Sequence, residues 1–446
     1  MLIVSGADLV WTGAAEIRGG VVRCAAGRVL GDEISDDRSV DEVLDASGCV
    51  VTPGLVNAHH HLLQTAFRTL PGTRGVPMRD WLPRMAAAYS AVGVDAELAH
   101  AAASAGLAES LLCGVTTVAD HHLTWPPGDG VDLALAVADA AAGLGARLVF
   151  VRGSARDDPE QAAMSAEAIV TALGKTALGV TATDMTAPGG GAPAMVQVAV
   201  GPAGVHSDGE QTFALLGEVA ARHGLRRRTQ ANEQVDVEVA VARYGRRPLE
   251  LLAEWGWLAP DVTIAHLCAV TREEIAAVAT AGASITHAPG CDVPMGWGVA
   301  PAAAFADAGV AVGLGTSGGG SNDAGHLLAD ARLALQVAPI AGRRVAAREV
   351  LGWATAGSAA GLGRPELGVL TPGSAADLVC WDVSGVADAG SVDPLAGLLW
   401  RSPGRRPRHV VVAGRVVVRD GELVARPERE VAGALDALLA ARPQHG

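Results

Sequence analysis

Between Val51 and Thr316 the chain alternates two textures: short strand-like runs, most of them rich in apolar residues, and longer stretches whose apolar residues return every three or four positions. The short runs are Val51–His61, Thr116–His122, Ala146–Ser154, Val196–Val205, Leu225–Glu233, Val262–Cys268, Ala283–Ala288 and Val310–Thr316. A run apolar on both faces is the signature of a strand covered on both sides, as in a parallel sheet. Intervening stretches such as Asp95–Cys113, Glu210–His223, Val235–Trp255 and Arg272–Ala281 carry helical spacing. Eight β-α units predict an α/β fold, a TIM (β/α)8 barrel. A doubly wound open sheet is the alternative, but no Gly-rich phosphate turn follows an early strand.

The two ends read differently. Leu2–Val10, Gly20–Ala26 and Glu42–Val50 are short alternating segments broken by Gly and Asp turns, and Ala376–Asp382 and His409–Val418 repeat that character. The last of these folds back at an Ala-Gly turn, a hairpin signal. Neither end has enough apolar surface to stand alone, so the expectation is one small β-sandwich built from both termini. The expected division is 1–52 with 369–425 as the sandwich, 53–368 as the barrel, and 426–446 as a C-terminal helix and tail.

At 446 residues the chain can bury a large core, and its net charge of −14 argues against a nucleic-acid partner, which demands a basic face. The basic run of note, Arg226–Arg228, lies inside an expected strand. Six cysteines without a C-x-x-C pair fit a reduced, cytoplasmic protein better than a disulfide framework. The first residues lack the basic and apolar regions of a signal peptide, and Glu109 interrupts the best candidate span, Ala101–Ala119. A small-molecule substrate is expected, with neither nucleic acid nor membrane as partner.

Barrel enzymes work at the C-terminal ends of their strands. Here those ends carry His59/His61, His121/His122, His206, Gln230/Glu233, His266, His287 and Ser317. Alternation puts His59 and His61 on one face and His60 on the other, and two imidazoles on one face form half of a metal site.

Several segments together carry a resemblance: Pro53-Gly54-Leu55-Val56-Asn57-Ala58-His59-His60-His61, then Gln64-Thr65 and Arg68, Thr117-Val118-Ala119-Asp120-His121-His122, Ala265-His266, Ser321-Asn322-Asp323, and Gly373-Ser374-Ala375-Ala376-Asp377-Leu378-Val379. Over nearly its full length the chain resembles the amidohydrolase superfamily, in the branch that contains 8-oxoguanine deaminase, guanine deaminase and the triazine hydrolases. The resemblance implies a barrel with a sandwich, oligomerisation of identical subunits, and one zinc or iron ion. Two strand-one histidines, a histidine ending strand five and an aspartate ending strand eight would hold it. The strand-five pattern is His-x-His-x-x-Glu, and this chain has Arg228-Thr229-Gln230-Ala231-Asn232-Glu233; Gln230 stands where a ligand belongs. The strand-eight pattern is Gly-x-Asp-Gly, and this chain has Gly315-Thr316-Ser317-Gly318.

A neutral amide and a hydroxyl thus replace an imidazole and a carboxylate. The expectation is one divalent ion weakly held by His59, His61 and Gln230, or none, the two histidines then being remnants that pack in the barrel mouth. The resemblance assigns proton transfer to Glu233 and polarisation of the substrate to His266, and a grip on the heterocycle's amide edge to Gln64. His121 and Ser317 are expected near the substrate. Arg228 shares a face with Gln230; either its guanidinium supplies charge that the metal no longer supplies, or binds an anionic group, or it is a surface arginine at the strand's start. Trp297 either stacks on a planar ring or packs at the rim. The implied activity is hydrolysis of a C–N bond, a deamination, in a heteroaromatic or guanidine-like molecule. The alternatives are a metal-independent family member doing elimination or rearrangement in specialised biosynthesis, and a non-catalytic small-molecule-binding protein.

Overall fold

In the computed structural model, residues 1–31, 40–126, 130–174, 193–401 and 404–443 are described. Nine parallel strands form the central sheet: β1 (Leu55–His61), β2 (Val115–His122), β3 (Arg147–Ser154), β4 (Val196–Pro202), β5 (Arg226–Ala231), β6 (Val262–His266), β7 (Ser284–His287), β8 (Val312–Leu314) and β9 (Ser317–Gly318). Their spatial order is β8-β7-β6-β5-β4-β3-β2-β1-β9. β8 pairs with β7, and two residues later β9 pairs with β1, Ser317 opposite His60 and Gly318 opposite His61. Gly315 N donates to the His287 carbonyl and Thr316 N to that of His59, so this one segment closes the sheet into a barrel.

The expected single strand from Val51 to His61 is in fact two, in two different sheets. Cys49–Pro53 belongs to a seven-stranded sheet and Leu55–His61 to the barrel. Pro53 has no N–H for a ladder, and a Cβ on Gly54 would lie 2.2 Å from Thr116 Oγ1, so the crossing needs a glycine pressed against β2. The helix expected over Val235–Trp255 also divides, into Gln234–Tyr244 and Pro248–Glu254. Gly245 ends the first in the left-handed region at φ 66°, and Pro248 opens the second.

The ends of the chain interleave. Leu378–Asp382 pairs antiparallel with Cys49–Pro53 inside the seven-stranded sheet, and a separate four-stranded sheet holds Leu2–Ser5 between Val22–Ala25 and Glu42–Asp45. Both sheets feed one apolar cluster that includes Leu2, Val4, Val10, Val51, Leu378 and Val411. Arg147, at the start of β3, clamps Asp377 with two bonds of 2.7 and 2.9 Å, both side chains being buried. The C-terminal helix Glu428–Ala440 buries Val431 and Leu435, and Arg442 beyond it pairs with Asp95 at 2.8 Å. The last three positions of the expected tail, 444–446, lie outside the described residues. All six cysteines are free thiols, and among the described residues no helix is long and apolar enough to cross a membrane.

Candidate active site at the mouth of the barrel

Several strands end in backbone that L-residues rarely adopt. Asn232 lies at φ 53°, His266 at 74° and Ser317 at 55°. Such turns cost roughly 1–3 kcal/mol each and persist where the surroundings hold them. They aim side chains into a cavity of about 640 Å³, whose floor is made by His61, Gln64, Gln230, Glu233, His266 and Ser317. Helix Met78–Val92 supplies Trp81, Met85 and Tyr89 to the wall. Trp297 packs edge-on against Trp81, ring centres 5.6 Å apart, so the two give the cavity an aromatic wall.

His59 and His61 sit 4.8 Å apart, and His59 is 5.2 Å from His266. His61 Nδ1 faces the His121 carbonyl at 2.7 Å, so its Nε2 is turned toward the cavity; His59 Nε2 is buried without a partner. Burial drives three of the imidazoles gathered here down, His59 well below its usual range, His61 to about 4 and His121 to about 3. They are neutral at physiological pH, the form that binds metals.

The rest of the donor set does not match them. Gln230 Oε1 is turned toward His266 Nε2, 3.1 Å away, and Ser317 offers only a hydroxyl. Below them Arg228 is 2% exposed, with Nη2 donating to the Ala58 carbonyl and Nη1 without a partner. Among the described residues, the group of three His, Cys, Asp or Glu donors lying within 4.8 Å of one another is His266, Cys291 and Asp292, not a set around His59 and His61. Two imidazoles, an amide and a hydroxyl above a guanidinium do not fit a four-ligand zinc centre, which uses imidazole, thiolate and carboxylate.

Proton-handling groups are gathered on the other side of the floor. His266 Nδ1 donates to Asp292 Oδ1 at 2.8 Å, while its Nε2 lies 3.1 Å from Gln230 Oε1 and 3.6 Å from Glu233 Oε1. Both ring nitrogens face oxygen acceptors, an arrangement that only the doubly protonated ring satisfies. Burial alone would lower the proton affinity of His266, but the Asp292 and Glu233 carboxylates outweigh it and raise it. Both Glu233 oxygens are buried without a hydrogen-bond partner, and burial pushes its carboxyl well above the usual range. Asp292 was not singled out from the sequence. Its signal was a carboxylate just past strand seven, at the rim where the other polar residues gather.

Gln64 lines the cavity, but its Oε1 already accepts from Gly320 N at 3.0 Å. Trp297 also lines it, 7% exposed, with its Nε1 buried and unpartnered. Two residues expected at the substrate, Arg228 and His121, lie instead beneath the floor and do not line the cavity. Alternation put them on the inward face, but depth along the strand put them below its C-terminal end. The surface-arginine reading of Arg228 is overturned by its burial. His122 packs outside the barrel interior against Trp125 and Phe150.

The Amidohydrolase family matches residues 50–417. An 8-oxoguanine deaminase from Pseudomonas aeruginosa is 35% identical over 389 residues, 84% of each chain. An isoxanthopterin deaminase from an unknown prokaryotic organism is 31% identical over 438 residues, 91% of this chain and 89% of that one. Among solved structures, the atrazine chlorohydrolase of Arthrobacter aurescens TC1 complexed with zinc is 33% identical, with a TM-score of 0.88 over 98% of this chain and 100% of that one.

Proposed function

The chain belongs to the amidohydrolase family, and on that premise we propose that it is an aminohydrolase, hydrolysing a C–N bond of a heteroaromatic or guanidine-like small molecule with a divalent ion held weakly or not at all. One observation carries the reading: Glu233, buried with both oxygens free, stands 3.6 Å from His266 on the floor of an aromatic-walled cavity. A carboxyl raised toward neutrality exchanges protons in both directions. Ionised, Glu233 takes a proton from the water that attacks the ring carbon. Protonated, it hands that proton to the departing amine. His266, backed by Asp292, donates from Nε2 to the oxygen forming at the attacked carbon. Trp81 and Trp297 hold the ring, and Ser317 and Gln64 present a hydroxyl and an amide to its polar edge.

In the same reading the two sheets made from the chain's ends form a β-sandwich beside the barrel, and the working form is an assembly of identical subunits. The test is a panel of aminopurines, aminopterins and amino-triazines, scored for released ammonia or amine and for binding. At least one member is expected to be turned over. Tight binding of such rings with no amine released from any, and with Glu233→Gln changing nothing, would reduce the chain to a binding protein.

A further inference from the structure

We propose that Arg228 is the resident cation of this barrel: its guanidinium takes the electrostatic place of a divalent ion and keeps such an ion from settling on His59 and His61. The inference deepens the reading above. Its test measures bound metal and not turnover, so the two fail separately.

Arg228 enters from β5 and reaches the carbonyl of Ala58 on β1, the residue immediately before His59. The side chain therefore spans the barrel interior directly under the histidine pair. It is 2% exposed, and Nη1 has no partner. A guanidinium keeps its charge at neutral pH even when buried. Among the described residues it makes no ion pair. The groups around it are nitrogen-rich: His59 Nε2 and His121 Nδ1 are themselves buried and unpartnered.

A lone buried guanidinium is costly, and one carbonyl is small recompense. Its place is explained if the barrel needs a fixed positive charge here. Arginine suits that need, because it holds its proton in surroundings that would strip a lysine. The relative with zinc bound, similar over 98% of this chain, has a positive ion in its structure. A fixed unit charge repels a divalent ion placed above it, and the repulsion is strong where water is excluded. Restoring missing ligands while Arg228 remains is therefore not enough to restore a metal.

The experiment loads purified full-length protein with zinc or cobalt, removes loose metal by gel filtration, and measures bound metal by elemental analysis and the visible spectrum of cobalt. The proteins are the wild type, Gln230→His with Ser317→Asp, and that pair with Arg228→His added. Wild type and the double variant are expected to retain well under one equivalent, and the triple variant close to one. Arg228→Lys, added to the double variant, keeps the charge and is expected to remain metal-poor; thermal melting reports whether each protein is folded. The proposal fails if wild type holds a full equivalent that His59→Ala removes. It also fails if the double variant fills with Arg228 in place, or if the folded triple variant stays empty.

Discussion

Asp292→Asn is the sharpest perturbation of the candidate chemistry, because it removes a charge and preserves shape. The amide oxygen can still accept from His266 Nδ1 across the present 2.8 Å, so the ring keeps its position. What disappears is the carboxylate that makes a second ring proton favourable. A hydrogen bond to a charged partner is worth about 1.5–3 kcal/mol. At 1.36 kcal/mol per pH unit, the imidazole's midpoint should fall by about 1–2 pH units. The sign follows from the raised proton affinity of the native ring. In wild type, the stabilisation from this pair is complete below the ordinary histidine range, near pH 6.5, and fades as pH climbs through the raised folded value. In the variant, the alkaline limb of kcat/KM should move to lower pH by the same 1–2 units, with little change at the acidic end. Nitrogen-detected NMR of His266 should report the same displacement. A uniform loss of activity at every pH, or a ring that titrates unchanged, would refute the idea that Asp292 acts by holding a proton on His266.

Other consequences follow from neighbouring parts of the molecule. Glu233→Gln should lower kcat by about 10^2–10^4-fold while leaving the melting temperature and the affinity for a planar ligand nearly unchanged; retained turnover would free Glu233 of its role. Trp297→Ala removes part of the cavity's aromatic wall and should raise KM roughly 2- to 10-fold with kcat held, as expected for a contact worth about 0.5–1.5 kcal/mol. Asp377→Asn leaves the buried Arg147 without its counter-charge and should cost about 3–5 kcal/mol in urea denaturation, with activity per folded molecule unaltered.

The barrel was legible because strands covered on both faces are rich in apolar residues, and most of the eight runs separated by helical spacing follow that pattern. The polar residues at the strand ends were legible because they gather at the C-terminal end of run after run. What escaped was depth. Alternation says that Arg228 faces inward, but the number of residues between it and the end of β5 decides whether it meets the cavity or lies under it, and the end of a strand is set by tertiary hydrogen bonds. The pairing of His266 with Asp292, 26 positions apart, was equally hidden, since neither residue's local pattern selects the other. The cavity's aromatic wall also went unread. Helix Met78–Val92 carries Pro83 within it, a residue that argues against a helix interior, and it follows an irregular connection after β1, so it did not stand out despite its helical spacing. The break at Gly54 was masked by continuous hydrophobicity across two sheets.

His266 and Ser317 hold a backbone shape that glycine enters freely and side chains resist. Heat resistance and chemistry therefore pull in opposite directions at the same two codons. A library sorted for survival at high temperature alone would drift toward glycine there, gaining sturdiness as the pocket empties of its working groups. Any effort to toughen this enzyme has to screen for turnover in the same round.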